Sequence, residues 1–181
     1  MKISAYSELI ELSLSSIDRK KFDIFKKLII KTYDKNSIYI CGNGGSAANA
    51  NHICNDLSHL RSNKFIKGFS AYSLSANDSL FSCYANDYGY KYSFSKQLEN
   101  HAKKNDLLIV LSCSGNSENI LEASKVALSL KMRTFGIIGS KDSKIKNILK
   151  NIIYTNIHDV QASEDFQTII FHILAKQLKN E

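Results

Sequence analysis

The sequence predicts a single α/β domain in which a mainly parallel sheet is covered by helices on both faces. The chain has 181 residues, the size of one ordinary domain. Short apolar runs alternate with longer segments of helical periodicity. Two of these runs, 37–41 and 107–111, lead directly into polar loops rich in serine and glycine. Strands that alternate with helices of this length are typical of parallel sheets.

The N-terminal third of the chain predicts two helices and then a strand, a loop and a helix. Apolar residues recur at helical spacing through the first 35 residues, with a break near 15–18. The apolar run 37–41 predicts a buried strand, and the turn Gly42–Ser46 opens a helix that runs toward Leu60.

The rest of the chain continues the alternation. Residues 69–74 predict a second strand, followed by helices near 79–85 and 92–102 that a polar turn at 86–89 separates. The remaining elements are predicted as strands at 107–111, 134–138 and 152–154, a loop at 112–117, and helices at 118–130 and 164–179.

Composition excludes several classes of function. All but three of the 24 basic residues are lysines, and the three arginines are scattered, so the net charge of +7 indicates a solvated surface and no nucleic-acid partner. The four cysteines form no C-x-x-C pair, which argues against a zinc knuckle. Glu8 and Glu11 interrupt the segment where a secretion signal needs apolar residues, and no stretch is long enough for a membrane span. We therefore expect a cytoplasmic protein with no membrane partner.

The loop 112–117 has the features of a phosphate site. Ser112, Ser114 and Ser117 place three hydroxyls within six residues, and Gly115 allows a tight turn. The helix that follows offers free N–H groups and the positive end of its dipole. The loop lacks the Gly-Lys-Ser/Thr ending of a nucleoside triphosphate site. The alternative interpretation is that Ser117 only caps its helix.

The loop that begins at Gly42 partly fits the dinucleotide-binding pattern G-x-G-x-x-A. That pattern also requires an acidic residue about 20 positions later, at the end of a second strand, to bind ribose. Asp56 lies within the predicted helix and Asp78 comes too late. We therefore expect no nucleotide cofactor.

Five motifs in a fixed order resemble those of a known family. They are Cys41–Ala48, His52 six residues after Ser46, Ala85–Gly89, Leu111–Ser117, and Glu164-Asp165 with His172 on the last helix. Together they resemble the SIS (sugar isomerase) domain, and within it the phosphoheptose isomerase group, over nearly the whole chain. The resemblance implies a three-layer α-β-α sandwich around a five-stranded parallel sheet, with residues 1–35 used in oligomerisation and 36–181 as the α/β core. It also implies a homotetramer with active sites at subunit contacts.

The resemblance further implies conversion of sedoheptulose 7-phosphate to D-glycero-D-manno-heptose 7-phosphate, for lipopolysaccharide or capsule heptose. Asp56 and His172 take the catalytic positions, and zinc would be held by His52, Asp56, Glu164 and His172. Where the family usually has Thr, Glu and Gln, this chain has Cys113, Asp56 and Glu164. The positions implied to contact the sugar phosphate are Asn43, Gly44, Gly45, Ser46, Asp56, Asn86, Asp87, Ser112, Cys113, Ser114, Ser117 and Glu164.

The spacing of these residues is compatible with aldose–ketose chemistry, which needs a base, a proton shuttle and stabilisation of negative charge. His52 and Asp56 are four residues apart on one helix and share a face. Glu164 and His172 share a face of the last helix at a spacing of about two turns. The alternative is structural, with His52 a surface residue and His172 a buried one. The alternative function is that of a non-catalytic SIS-domain oligomer that binds a protein partner, like regulators of replication initiation.

Overall fold

The computed structural model describes all 181 residues and contains seven α-helices and five β-strands. The helices are α1 (Ile3–Ser15), α2 (Arg19–Thr32), α3 (Gly45–His59), α4 (Asp78–Tyr88), α5 (Ser95–His101), α6 (Glu118–Ser129) and α7 (Val160–Lys179). The strands are β1 (Ile38–Cys41), β2 (Ala71–Ser73), β3 (Leu107–Ser112), β4 (Arg133–Ile138) and β5 (Ile152–Tyr154). No helix combines the length and apolar character that crossing a membrane requires.

The five strands form one parallel sheet, as predicted, and their order in it is β2-β1-β3-β4-β5. The chain leaves β1 through α3 toward β2 and leaves β3 through α6 toward β4, so the direction of winding reverses between β1 and β3. Crevices at such a switch point are where open parallel sheets bind ligands. The loops 42–46 and 112–117 both begin there, because they follow β1 and β3, the two strands between which the winding reverses.

Each face of the sheet buries its own core, which confirms the predicted three-layer sandwich. One core joins sheet residues to α2, α3 and α7, and the fully buried Phe25 of α2 stacks on Phe135 and meets Phe171 edge-on. The other joins the opposite face of the sheet to the α4–α6 side. Helix α1 packs outside α7, where Tyr6 donates a hydrogen bond to Asp165 (2.5 Å). This bond raises the pKa of Tyr6 to about 12.

Helices α3 and α7 lie side by side and run in the same direction. Asn49 of α3 fixes their register: its Nδ2 donates to the backbone oxygen of Glu164 (2.8 Å) and to Oε1 of Gln167 (3.1 Å). Its Oδ1 accepts a hydrogen bond from Thr168 (3.0 Å). One partly buried amide therefore joins the middle of α3 to a full turn of α7.

Two of the differences between the predicted boundaries and the structure have a clear physical cause. The turn predicted at 86–89 is wrong, because α4 continues through Asn86 and Asp87 to Tyr88 and ends only at Gly89, whose φ of 95° a helix does not tolerate. The last helix starts at Val160 and not at 164, because Asp159 accepts a hydrogen bond from the Ala162 N–H and caps it.

Replacing Phe25 with Ala should lower the free energy of unfolding by about 3–5 kcal/mol. The change removes a fully buried ring that contacts Phe135 and Phe171 and leaves a cavity in its place. Urea denaturation measures this loss. Tyr88→Ala is the control, since that ring is 55% exposed and its removal should cost far less. Equal losses for both variants would show that α2 is not part of the core.

Candidate active site

The loop 112–117 is a tight turn that leads from β3 into α6. Gly115 has a φ of 63°, and its N–H donates to the hydroxyl of the buried Ser112 (2.9 Å). A Cβ at Gly115 would press on Ser143 and Ile138, so glycine is required for conformation and for space. The Asn116 N–H donates to the hydroxyl of Ser114 (3.2 Å), which is exposed at the mouth of the crevice. The turn thereby holds its serines at the start of a helix, where anions are favoured.

Ser117 does not cap α6. It stands at the N-cap position, but its side chain forms no capping hydrogen bond. The structure therefore disfavours the interpretation of Ser117 as only a helix cap, since its hydroxyl and the N–H groups of Glu118 and Asn119 are left available to a ligand, while the Ile120 N–H donates to Oδ1 of Asn119 (3.0 Å).

Two asparagines join the two loops. Asn43 and Asn119 exchange amide hydrogen bonds of 2.9 Å in both directions, and Asn119 is fully buried. The hydroxyl of Tyr90 also donates to Asn43 (2.9 Å). Sequence reasoning missed Asn119 and Tyr90 as site residues. The only signal was the presence of Asn119 two residues after Ser117, which is also typical of an ordinary helix start.

The loop 42–46 brings the backbone close to α7. Gly44 is exposed with a φ of 56°, and Gly45 begins α3. A Cβ built on Gly45 would overlap the carboxylate of Glu164, so that carboxylate lies directly against the first turn of α3. Ser46 is buried beside the thiol of Cys113. The loop therefore meets the 112–117 loop on one side and Glu164 on the other.

Cys113 is suited to packing and not to nucleophilic attack. Burial raises the pKa of its thiol, and the nearby charge of Glu164 raises it further. The sulfur lies 3.6 Å from the backbone oxygen of Val160 and 4.0 Å from Nε2 of Gln167. A thiol held in its neutral form is a poor nucleophile.

Three of the predicted polar residues converge on the outer side of α3 and α7. Nε2 of His172 lies 3.2 Å from Nε2 of His52 and 3.5 Å from Oδ2 of Asp56, while His52 and Asp56 are 3.6 Å apart. The three donor atoms all lie within 4.8 Å of one another. The two imidazoles are about half exposed, and Asp56 is the most enclosed of the three. We call these residues the His52–Asp56–His172 cluster.

A cavity of about 180 Å³ opens beside Asp56 and His172. Lys176 and Lys179 of α7 also line it. Two ammonium groups at such a position favour an anion or a developing negative charge.

The other predicted site residues lie elsewhere. Glu164 is outside the cluster, because the step of eight positions from Glu164 to His172 amounts to about 12 Å along the helix axis. A shared helix face thus did not bring the two side chains to one point. Asn86 and Asp87 lie exposed on α4, where they bond to each other (2.9 Å) and to Cys83 but to neither loop.

Comparison with known proteins identifies the family. Residues 8–139 match the SIS domain. The chain belongs to the SIS domain family. Phosphoheptose isomerase of Helicobacter pylori strain Shi470 is 36% identical over 170 residues, which cover 94% of this chain and 88% of that protein. Phosphoheptose isomerase of Campylobacter jejuni serotype O:6 is 32% identical over 175 residues, which cover 97% of this chain and 90% of that protein. These relatives confirm the predicted phosphoheptose isomerase group.

Solved structures share the fold of this SIS domain. Phosphoheptose isomerase from Neisseria gonorrhoeae superposes with a TM-score of 0.89 at 23% identity, covering 98% of this chain and 95% of its own. The enzyme of the same name from Francisella tularensis gives 0.88 at 20% identity, with coverage of 98% and 94%. The whole chain therefore follows the fold that the sequence predicted.

The contact between Gly45 and Glu164 is open to a double-mutant test. Gly45→Ala should displace the Glu164 carboxylate, so its cost in unfolding free energy should fall by about 0.5–3 kcal/mol when Glu164 is already Ala. Gly42→Ala is the matched control, because its Cβ would overlap the backbone of Ser46, which no change at Glu164 relieves. Additive costs for Gly45→Ala and Glu164→Ala would contradict the contact.

Proposed function

We propose that this SIS domain is a phosphoheptose isomerase that interconverts sedoheptulose 7-phosphate and D-glycero-D-manno-heptose 7-phosphate. The observation that carries the proposal is the meeting of Asp56 with His172 on helices that also border the serine loop. Two relatives that are 36% and 32% identical to this chain over nearly its whole length are named for this activity. The product would supply heptose for lipopolysaccharide or capsule.

The separation of the two parts of the site fits a long substrate. Ser112, Ser114 and Ser117 would hold the phosphate at C7, with the N-terminus of α6 supplying N–H donors. The carbons that react are C1 and C2, at the opposite end of the sugar. The acid–base pair is correspondingly displaced, by about two turns of α7 from Glu164. Asn43, Gly44, Gly45 and Ser46 would contact the part between, and Asn86 and Asp87 the outer rim.

The reaction moves one proton between carbons and one between oxygens. Asp56 would take the proton from C1 of the ketose to give an enediolate and return it to C2. His172 would take the proton of O1 and deliver one to O2. Oδ1 of Asp56 and Nδ1 of His172 form no hydrogen bond within the chain, so both atoms are available for these transfers. Lys176 and Lys179, which line the adjoining cavity, favour the negative charge of the enediolate.

The cluster also fits a zinc ion. Two donors bound to one tetrahedral zinc at 2.0–2.1 Å are roughly 3.3 Å apart, and the donor atoms of His52, Asp56 and His172 are separated by 3.2–3.6 Å. Two imidazoles and one carboxylate are the donor set of several catalytic zinc sites, which keep a fourth position open. Zinc, when bound, would stabilise negative charge on the sugar oxygens. Glu164 would not be needed as a ligand.

The family resemblance also supports a proposal for assembly and location. We propose a homotetramer whose sites lie at subunit contacts, with α1 and α2 (residues 1–35) contributing to assembly. The half-exposed imidazoles of His52 and His172 support this, since a water-exposed acid–base pair would benefit from a covering subunit. A cytoplasmic location suits an enzyme that acts on a phosphorylated sugar.

Purified protein should convert sedoheptulose 7-phosphate to the aldose in an NMR time course. Asp56→Asn and His172→Gln should each lower kcat by about a hundredfold or more, because each removes a group that transfers protons. His101→Gln, a change at the exposed end of α5, is the control and should leave the rate unchanged. If the folded parent protein shows no turnover even with added zinc, the isomerase assignment fails and the non-catalytic regulator becomes the better explanation.

Zinc content distinguishes a three-residue from a four-residue metal site. The protein should bind one zinc per chain, and His52→Ala or Asp56→Ala should abolish this binding, as measured by metal analysis after dialysis. Glu164→Ala should keep the metal, because the carboxylate that it removes lies at Gly45 and outside the cluster. Loss of zinc from Glu164→Ala would restore the four-ligand set that the family resemblance implies.

A further inference from the structure

The carboxylate of Glu164 has no charged partner, although its backbone is firmly held. Asn49 and Thr168 both donate hydrogen bonds to its backbone oxygen, at 2.8 and 3.4 Å. The carboxylate itself forms no ion pair and no hydrogen bond within the chain. It lies against Gly45 and close enough to Cys113 for its charge to raise the pKa of the thiol. An unpaired acidic group thus stands where the two ligand-binding loops meet.

This position combines opposite preferences for charge. The serine loop and the N-termini of α3 and α6 favour an anion, whereas a carboxylate repels one. Carboxylate oxygens accept hydrogen bonds, and the hydroxyls of a sugar donate them. The half-buried setting of Glu164 strengthens both effects relative to water.

We propose that Glu164 is a specificity-determining residue that sets the charge selectivity of the crevice. It accepts hydrogen bonds from the hydroxyls of a sugar monophosphate and rejects ligands that carry a second negative group, such as phosphorylated sugar acids. Discrimination by an unfavourable charge contact needs no additional binding pocket. The inference rests on the proposed function, because it takes the loop 112–117 as the phosphate site.

Two probes of equal chain length test this selectivity without turnover. Glucitol 6-phosphate and 6-phosphogluconate differ in a hydroxymethyl group and a carboxylate, and calorimetry gives their Kd values. The wild-type protein should prefer glucitol 6-phosphate, and Glu164→Gln should reduce that preference about tenfold because one repulsive charge pair is removed. Asp165→Asn is the matched control: it removes the neighbouring charge of α7, which faces Tyr6, and should leave the preference unchanged.

Each other outcome has a definite meaning. The proposal is overturned if Glu164→Gln leaves the preference unchanged or weakens the binding of both probes equally. Either result leaves the ratio of the two Kd values unchanged, as expected of a residue with a purely structural role. Absence of binding by both probes in the wild type overturns it together with the phosphate site. A tenfold change in preference in a protein that does not isomerise the heptose phosphate supports the selectivity role and refutes only the proposed reaction.

Discussion

The site depends on the parallel packing of α3 against α7. Because the two helices run in the same direction, residues at equal distances from their starts face each other: Gly45 meets Glu164, and His52 meets His172. The amide of Asn49 fixes this register by bonding to three residues of α7. A shift of one residue would turn each side chain by about 100° around its helix and separate His172 from His52 and Asp56.

The sheet supplies the other fixed reference. Both loops begin at the switch point between β1 and β3. The side-chain amides of Asn43 and Asn119 exchange two hydrogen bonds, which connect the first loop to the helix that follows the second. These reciprocal hydrogen bonds, in which Asn119 is fully buried, hold the start of α6 against loop 42–46 without help from a ligand. Preorganisation of this kind lowers the entropic cost of binding a flexible sugar phosphate. The end of the site that these hydrogen bonds hold is therefore the proposed phosphate end, and the more exposed end contains His52, Asp56 and His172.

The sequence was sufficient for the strands, their parallel arrangement and the position of the two loops, because buried strands and glycine turns depend on local pattern. It was also sufficient to place His52 beside Asp56, which one helix brings together. It was insufficient for Glu164. Periodicity predicts which face of α7 a residue occupies, but not how far along its neighbour it lies. It failed too at Asn86, where Gly89 and not the polar pair ends the helix.

The displacement of Glu164 changes the interpretation of the cluster. Without a fourth side chain, a zinc ion held by the His52–Asp56–His172 cluster would keep one coordination position for a sugar oxygen, as the proposed catalysis requires. A fourth protein ligand would instead close the tetrahedron and favour a structural metal. In the proposed arrangement, the exchange of the usual glutamine for Glu164 would therefore leave the cluster intact and affect the crevice between the loops. An acidic group there would act on the charge of the ligand, while the proposed proton transfers at C1 and C2 would depend on Asp56 and His172.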